Sequence, residues 1–254
     1  MRKTVKKTKE EIKKIISNLD LFSRILIGQY DEMIYIITGV ICPSYDDQNL
    51  NRSLVNLRSK IIPELNGISM NASLGIWGEK TPLIAMKAYD IQQCIRYVFS
   101  YHEHPEGGWT TNFDTPYLHG KWNVDKSHLD EYHKILADNN CPAYQPGYLI
   151  RDLWACPVIL DCFNDEEGTV NLIIDDPEAE EIITIAQRWK EYVVSEKFFE
   201  LFSEVIKYYD IEISEGELSK DIKELQTALQ NYKMTLYNNE TIPKIKFETA
   251  FPKS

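Results

Sequence analysis

Apolar residues recur at intervals of three and four along most of this chain, and that spacing excludes a β-dominated fold at the outset. Ile12, Ile15, Ile16 and Leu19 keep it, as do Leu50, Leu54, Leu57, Ile61 and Ile62. So do Ile84, Ala88, Ile91, Ile95, Val98 and Phe99, and near the end Leu218, Ile222, Leu225 and Leu229. Side chains so placed share one face of a 3.6-residue helix. Punctuation agrees. Thr8 with Glu11 is a capping-box pair before the first helix, and Asp20 either caps a second helix or bends the first. Leu21, Ile25, Gly28, Met33, Ile36 and Ile37 extend a broad apolar stripe up to Gly39 and Pro43. Thr81-Pro82 reads as an N-cap with proline at the first helical position. Pro177 opens a helix through Trp189 and Val193. Ser195, Phe198, Phe202 and Val205 give another, and Ser214 starts the last.

Only Val158–Phe163 and Thr169–Ile174 read as strands, on either side of Asn164-Asp165-Glu166-Glu167-Gly168, a hairpin signal. The expected class is therefore α+β and predominantly α-helical, with a helical N-terminal half, a small β-hairpin and a helical C-terminal segment. A boundary is expected in the Asn-, Pro- and Gly-rich stretch 139–148, dividing 1–140 from 141–254. That connector is short enough for both halves to share one domain. The tail from Pro243 to Ser254 is expected to be extended or disordered.

The stretch from Thr81 to His133 holds all five histidines: His102, His104, His119, His128 and His133. The helix that opens it runs to about Tyr101 and breaks at His102-Glu103-His104-Pro105. Gly107, Gly108, Pro116 and Gly120 punctuate the loop that follows, and Trp109, Phe113, Tyr117 and Trp122 imply that it packs on the body of the protein. A short helix from Ser127 to about Asp138 ends the stretch.

Leu19–Met33 and Ala88–Gly108, with the following Phe-Asp-Thr-Pro (Phe113–Pro116), resemble an uncharacterised family of small phage- and prophage-associated bacterial proteins. The resemblance covers about the first half of the chain. It implies a phage or mobile-element setting and carries no activity with it.

Charge and cysteine usage narrow the function. Acidic residues outnumber basic ones by 39 to 28, a net charge of -11, which disfavours non-specific nucleic-acid binding and suits contact with a basic protein surface. The most apolar stretch, Leu19 to Cys42, is interrupted by Arg24, Asp31 and Glu32, so no membrane span is expected. Five cysteines without a Cys-x-x-Cys pair and without a signal-peptide pattern point to free thiols and a cytoplasmic location.

Imidazole is a common transition-metal ligand, so His102, His104 and His119, with Glu103, Asp114, Asp125 and Glu131 near them, are the candidate metal ligands. His102 and His104 share a face if extended. His128 and His133 are five apart, which is poor for one helical face, and no ligand-spacing signature is present. Cationic residues at a helix C-terminus are equally at home there, through the helix dipole. Cys94 lies within a helix and reads as a structural thiol, and the Asp165-Glu166-Glu167-Gly168 run reads as a solvated turn. The remaining constellation is a polar–aromatic surface of Gln92, Gln93, Arg96, His102, His104, Trp109, Arg151 and Trp154, residue types that interfaces favour. The expected function is protein–protein contact, without a cofactor, regulating or countering a host system. The alternative is a metal-dependent hydrolase built on the His102–His133 window.

Overall fold

The computed structural model describes residues 2–38, 47–69, 72–114, 116, 118, 122, 129–141, 157–195, 197–209 and 211–238. It is an α+β protein, predominantly helical, with one three-stranded antiparallel sheet among the described residues. The chain forms two compact units, each made of two stretches. The first comprises Met1–Ser23 and Leu83–Gln187, the second Arg24–Pro82 and Arg188–Ser254. The expected boundary at 139–148 falls inside the first unit's second stretch. Two of the three divisions fall within helices, α1 (Lys9–Leu26) and α6 (Pro177–Val194), and the third lies between Pro82 and Leu83.

In the first unit the expected hairpin is β2 (Val158–Asn164) and β3 (Thr169–Ile174). A third strand, β1 (Lys3–Thr8), pairs with β3 from Lys3↔Ile174 to Thr8↔Thr169 and gives the order β1-β3-β2. This strand is an addition to the expected fold. Its sequence, Lys-Thr-Val-Lys-Lys-Thr, has a single large apolar residue, yet its pairing is complete and its lysines find carboxylates. Lys3 bonds Glu180, Lys6 bonds Glu167, and Lys7 meets Glu11 at 3.0 Å. A lysine-rich edge strand also resists further pairing.

The predicted capping box stands at the start of α1. Glu11 N donates to Thr8 Oγ1 at 3.1 Å, and Thr8 N donates to the Glu11 carboxylate at 2.8 Å. Asp20 neither caps nor breaks α1, which runs through it. Helix α4 (Leu83–Glu103) packs with β2, and α5 (Leu129–Asp138) also reaches that strand. Ile91 and Ile95 are fully buried, as their spacing predicts. The N-cap expectation differs in detail: Thr81 donates its hydroxyl to the Gly75 carbonyl at 2.6 Å.

In the second unit the apolar stripe from Leu21 to Ile37 is two helices, the end of α1 and α2 (Asp31–Thr38). Gly28 separates them. Its φ of +88° closes the helix end, and a Cβ there would lie 2.4 Å from Leu65 Cδ1, so only glycine fits. Helix α3 (Gln48–Ile61) starts on Asp47, whose carboxylate accepts from Asn49 N and Leu50 N. It packs against α8 (Glu215–Asn238), and α7 (Phe198–Lys207) packs against α8 as well. Arg58 of α3 is buried and donates to the carbonyls of Ala72, Ile68 and Ser69 at 3.0, 2.6 and 3.1 Å.

Two stability changes follow. Ile95→Ala should cost about 2–5 kcal/mol, from lost burial and the cavity left behind. Arg58→Met keeps the aliphatic stem of the side chain but removes its bonds to three carbonyls, and should cost about 2–4 kcal/mol. Urea unfolding of the full chain measures both. A cost below about 0.5 kcal/mol for Arg58→Met would mean that the 68–72 segment does not depend on it.

Candidate functional site

Helix α4 is buried around its whole circumference in the middle, which is unusual for a helix carrying Lys87, Asp90, Gln92 and Gln93 at adjacent turns. All four are buried. The expectation that Gln92 and Gln93 belong to an exposed binding surface is therefore corrected. Both helical flanks are covered, so the residues opposite Ile91 and Ile95 are interior too. Their polar groups are satisfied locally. Gln93 Nε2 donates to Gln92 Oε1 at 2.7 Å, and Arg96, half-buried, donates to Gln93 Oε1 and to Thr111 Oγ1. Lys87 Nζ pairs with Glu178 at 2.5 Å and lies 4.7 Å from the centre of the Trp122 ring. Trp122 Nε1 donates in turn to Asp90 at 3.2 Å.

The last turn of α4 brings His102 and Glu103 to the β2–β3 turn. His102 stacks on Phe163 with ring centres 3.6 Å apart and planes 12° from parallel. Its Nε2 lies 3.0 Å from Asp165 Oδ1. Single ligand atoms of His102, Glu103 and Asp165 all fall within 4.8 Å of one another, which makes them the metal-type set among the described residues. Of the expected set His102, His104 and His119, His102 belongs to it and His104 does not. His104 is exposed beyond the helix end, its Nδ1 3.7 Å from Glu106. His119 and His128 lie outside the described residues, and His133 is exposed on α5.

Lys9 already supplies a cation to this set. Its Nζ is 2.5 Å from Glu103 Oε1 and 2.7 Å from Asp165 Oδ1. A divalent ion bound to both carboxylates would have to displace that ammonium. As it stands, the cluster is an ion-pair network joining the start of α1, the end of α4 and the hairpin turn. The Lys9 N–H donates to the Gly168 carbonyl at 2.9 Å and ties two of these places, the start of α1 and the hairpin turn, together through the backbone. The bond from Lys9, then that from His102, holds the Asp165 carboxyl down to about 2 from an ordinary value of 3.8. Burial works against the Lys9 charge, and the bonds to Asp165 and Glu103 outweigh it and raise its pKa.

Beyond α4, residues 104–114 form an ordered loop. His104 N donates to Ser100 O and Gly107 N to His104 O, both at 2.9 Å. Tyr101 stands edge-on to Phe113, ring centres 5.3 Å apart, and its hydroxyl donates to the Phe113 carbonyl at 3.3 Å. Gly108 is pressed so closely on the Phe113 ring that a Cβ would come within 2.5 Å of it. With the loop anchored in this way, Trp109 stands fully out in solvent, 103% exposed. Arg151 and Trp154, the other expected members of the surface, lie outside the described residues. Cys94, read as a structural thiol, is buried in α4. Burial pushes the Cys141 thiol up to about 12, and Asp161 raises that of the exposed Cys162.

The depressed Asp165 carboxyl has a defined pH signature. A carboxyl whose folded value is lowered contributes stability above its unfolded value and loses it as the pH falls through the folded one. The Asp165 contribution should therefore disappear between pH 3.8 and about 2. Glu11, lowered to about 2 by the Thr8 N–H and Lys7, titrates in the same window, so the difference between proteins is the informative quantity. Asp165→Asn should be less stable than the natural chain at neutral pH and should converge with it on acidification. Urea midpoints measured across that range test this, and parallel curves would remove the network from the stability of the fold.

No family model, no curated protein and no solved structure matches this chain.

Proposed function

We propose that the protein works by contact with a protein partner through the 104–114 loop, with Trp109 as the anchor. The observation that carries this reading is a fully exposed indole on a loop held rigidly from beneath. Tryptophan is prominent among residues that dominate binding energy at interfaces. A side chain presented by an ordered loop loses less conformational freedom on binding than one on a floppy segment. Glu103, Glu106 and Asp114 are exposed close by in the sequence, and the chain as a whole carries a net charge of -11. Those charges favour a partner with a basic face, whose approach they would steer. The phage or mobile-element setting, and with it a role in regulating or countering a host system, rests on the resemblance of the first half of the chain.

The competing reading, a metal-dependent hydrolase, draws on the His102, Glu103 and Asp165 set. Lys9 speaks against it, because it occupies the position between the two carboxylates that an ion would need.

Trp109→Ala should leave stability within about 0.5 kcal/mol of the natural chain, since the indole contacts little within its own fold. It should nevertheless abolish capture of the partner in a quantitative pull-down from host cells, whereas chelator should change neither capture nor melting temperature. Undiminished capture by Trp109→Ala would rule out this loop as the contact. Stoichiometric zinc in protein purified without added metal, lost in Asp165→Asn, would favour the hydrolase instead.

A further inference from the structure

We infer that the open groove between α3 and α8 in the second unit binds a ligand bearing several phosphate groups. The groove has a volume of about 700 Å³, inside the range of about 300–1,000 Å³ common for small-molecule sites. Residues 216, 219, 220, 223, 224, 227 and 231 line one side, one face of α8 read at helical spacing. The first turns of α3 line the other side. From Gly216 to Asn231 the wall runs for ~22 Å, at 1.5 Å per residue.

The charge of this groove opposes that of the chain. Among the described residues Arg52, Lys220 and Lys223 line it against the single carboxylate of Glu224, while the whole chain has 39 acidic residues against 28 basic. Among the described residues Arg52 and Lys223 have no ion-pair partner, and Lys220 reaches Glu224 only at 3.9 Å. Lys60, farther along α3, is by contrast tied to Asp221 at 2.5 Å. Unneutralised cations facing one concave space attract a multiply charged anion.

The lining also selects the kind of anion. Asn49, Ser53 and Ser219 add amide and hydroxyl donors beside the guanidinium of Arg52. Such a mixture suits the tetrahedrally arranged oxygens of phosphate, which Arg and Lys both bind well. Among the described residues no aromatic side chain lines the groove, so they offer no platform on which a base could stack. Ala228 is the one non-glycine apolar residue of the lining among the described residues, so no large apolar side chain there would select the side chains of an acidic peptide. The anionic groups themselves must then carry recognition, and an oligophosphate is the simplest ligand with that property.

The probe is inorganic tripolyphosphate, titrated calorimetrically into the full chain at low ionic strength. One saturable site is expected, weakening as salt is raised. The Arg52→Ala/Lys223→Ala double variant should bind at least about tenfold more weakly, through loss of two charge-assisted contacts. Glu224→Gln should bind about two- to fivefold more tightly, a gain that misfolding cannot produce. Trp109→Ala should bind as the natural chain does, which separates this site from the loop proposed for protein contact. Absence of a saturable site, equal affinity in the double variant, or equally tight binding of hexaglutamate would overturn the assignment.

Discussion

A helix without a solvent face must find partners for every polar group it carries, and α4 meets that demand inside the first unit. Lys87, Asp90, Gln92 and Gln93 are all buried, and leaving any of them unpaired would cost on the order of 1–3 kcal/mol or more. Glu178 of α6 and Trp122 are therefore bound to α4 by necessity as much as by packing. The lysine over the indole ring gains a cation–π contact in the same place. Everything of functional interest in this unit hangs from the far end of that helix. Tyr101 holds the loop that presents Trp109, and the last turn carries His102 and Glu103 to the hairpin.

The two features at that end differ in kind. Around Asp165 the polar groups are mutually bonded: a lysine, a histidine and two carboxylates close on one another, and Phe163 flanks the imidazole. Such a network joins three segments distant in sequence and needs no ligand to complete it. Trp109 is the reverse. Its loop is internally complete, through Phe113, Tyr101 and the two glycines, while the indole contributes almost nothing to the fold that displays it. The exposed indole is the feature on which the proposed contact with a protein partner rests.

The second unit solves a related problem with a cation. The carbonyls of residues 68, 69 and 72 lie outside regular secondary structure, and the buried Arg58 guanidinium supplies their donors. Across the same unit Tyr209 donates to the Leu26 carbonyl near the end of α1, and Glu204 accepts from both Arg188 and Trp189. Polar side chains are thus spent on fixing backbone and helix ends. Arg52 and Lys223 in the α3–α8 groove stand apart from this pattern, with no ion-pair partner among the described residues.

The sequence by itself determined what depends on neighbours a few residues away. Periodicity placed the helices, Thr8 with Glu11 marked the start of α1, and the turn at Asn164–Gly168 marked the hairpin, because caps, turns and helical faces are set by local backbone geometry. It could not say how many sides of a helix are covered, which is why Gln92 and Gln93 read as surface while the fold buries them. Nor could it reveal β1, whose lysines look solvated until Glu167 and Glu180, far along the chain, come alongside. The same holds for the site. The histidine window drew attention to His102, but its partner Asp165 lies 63 residues away and Lys9 still farther. Burial and ion pairing are set by which distant segments meet, and only the tertiary structure decides that.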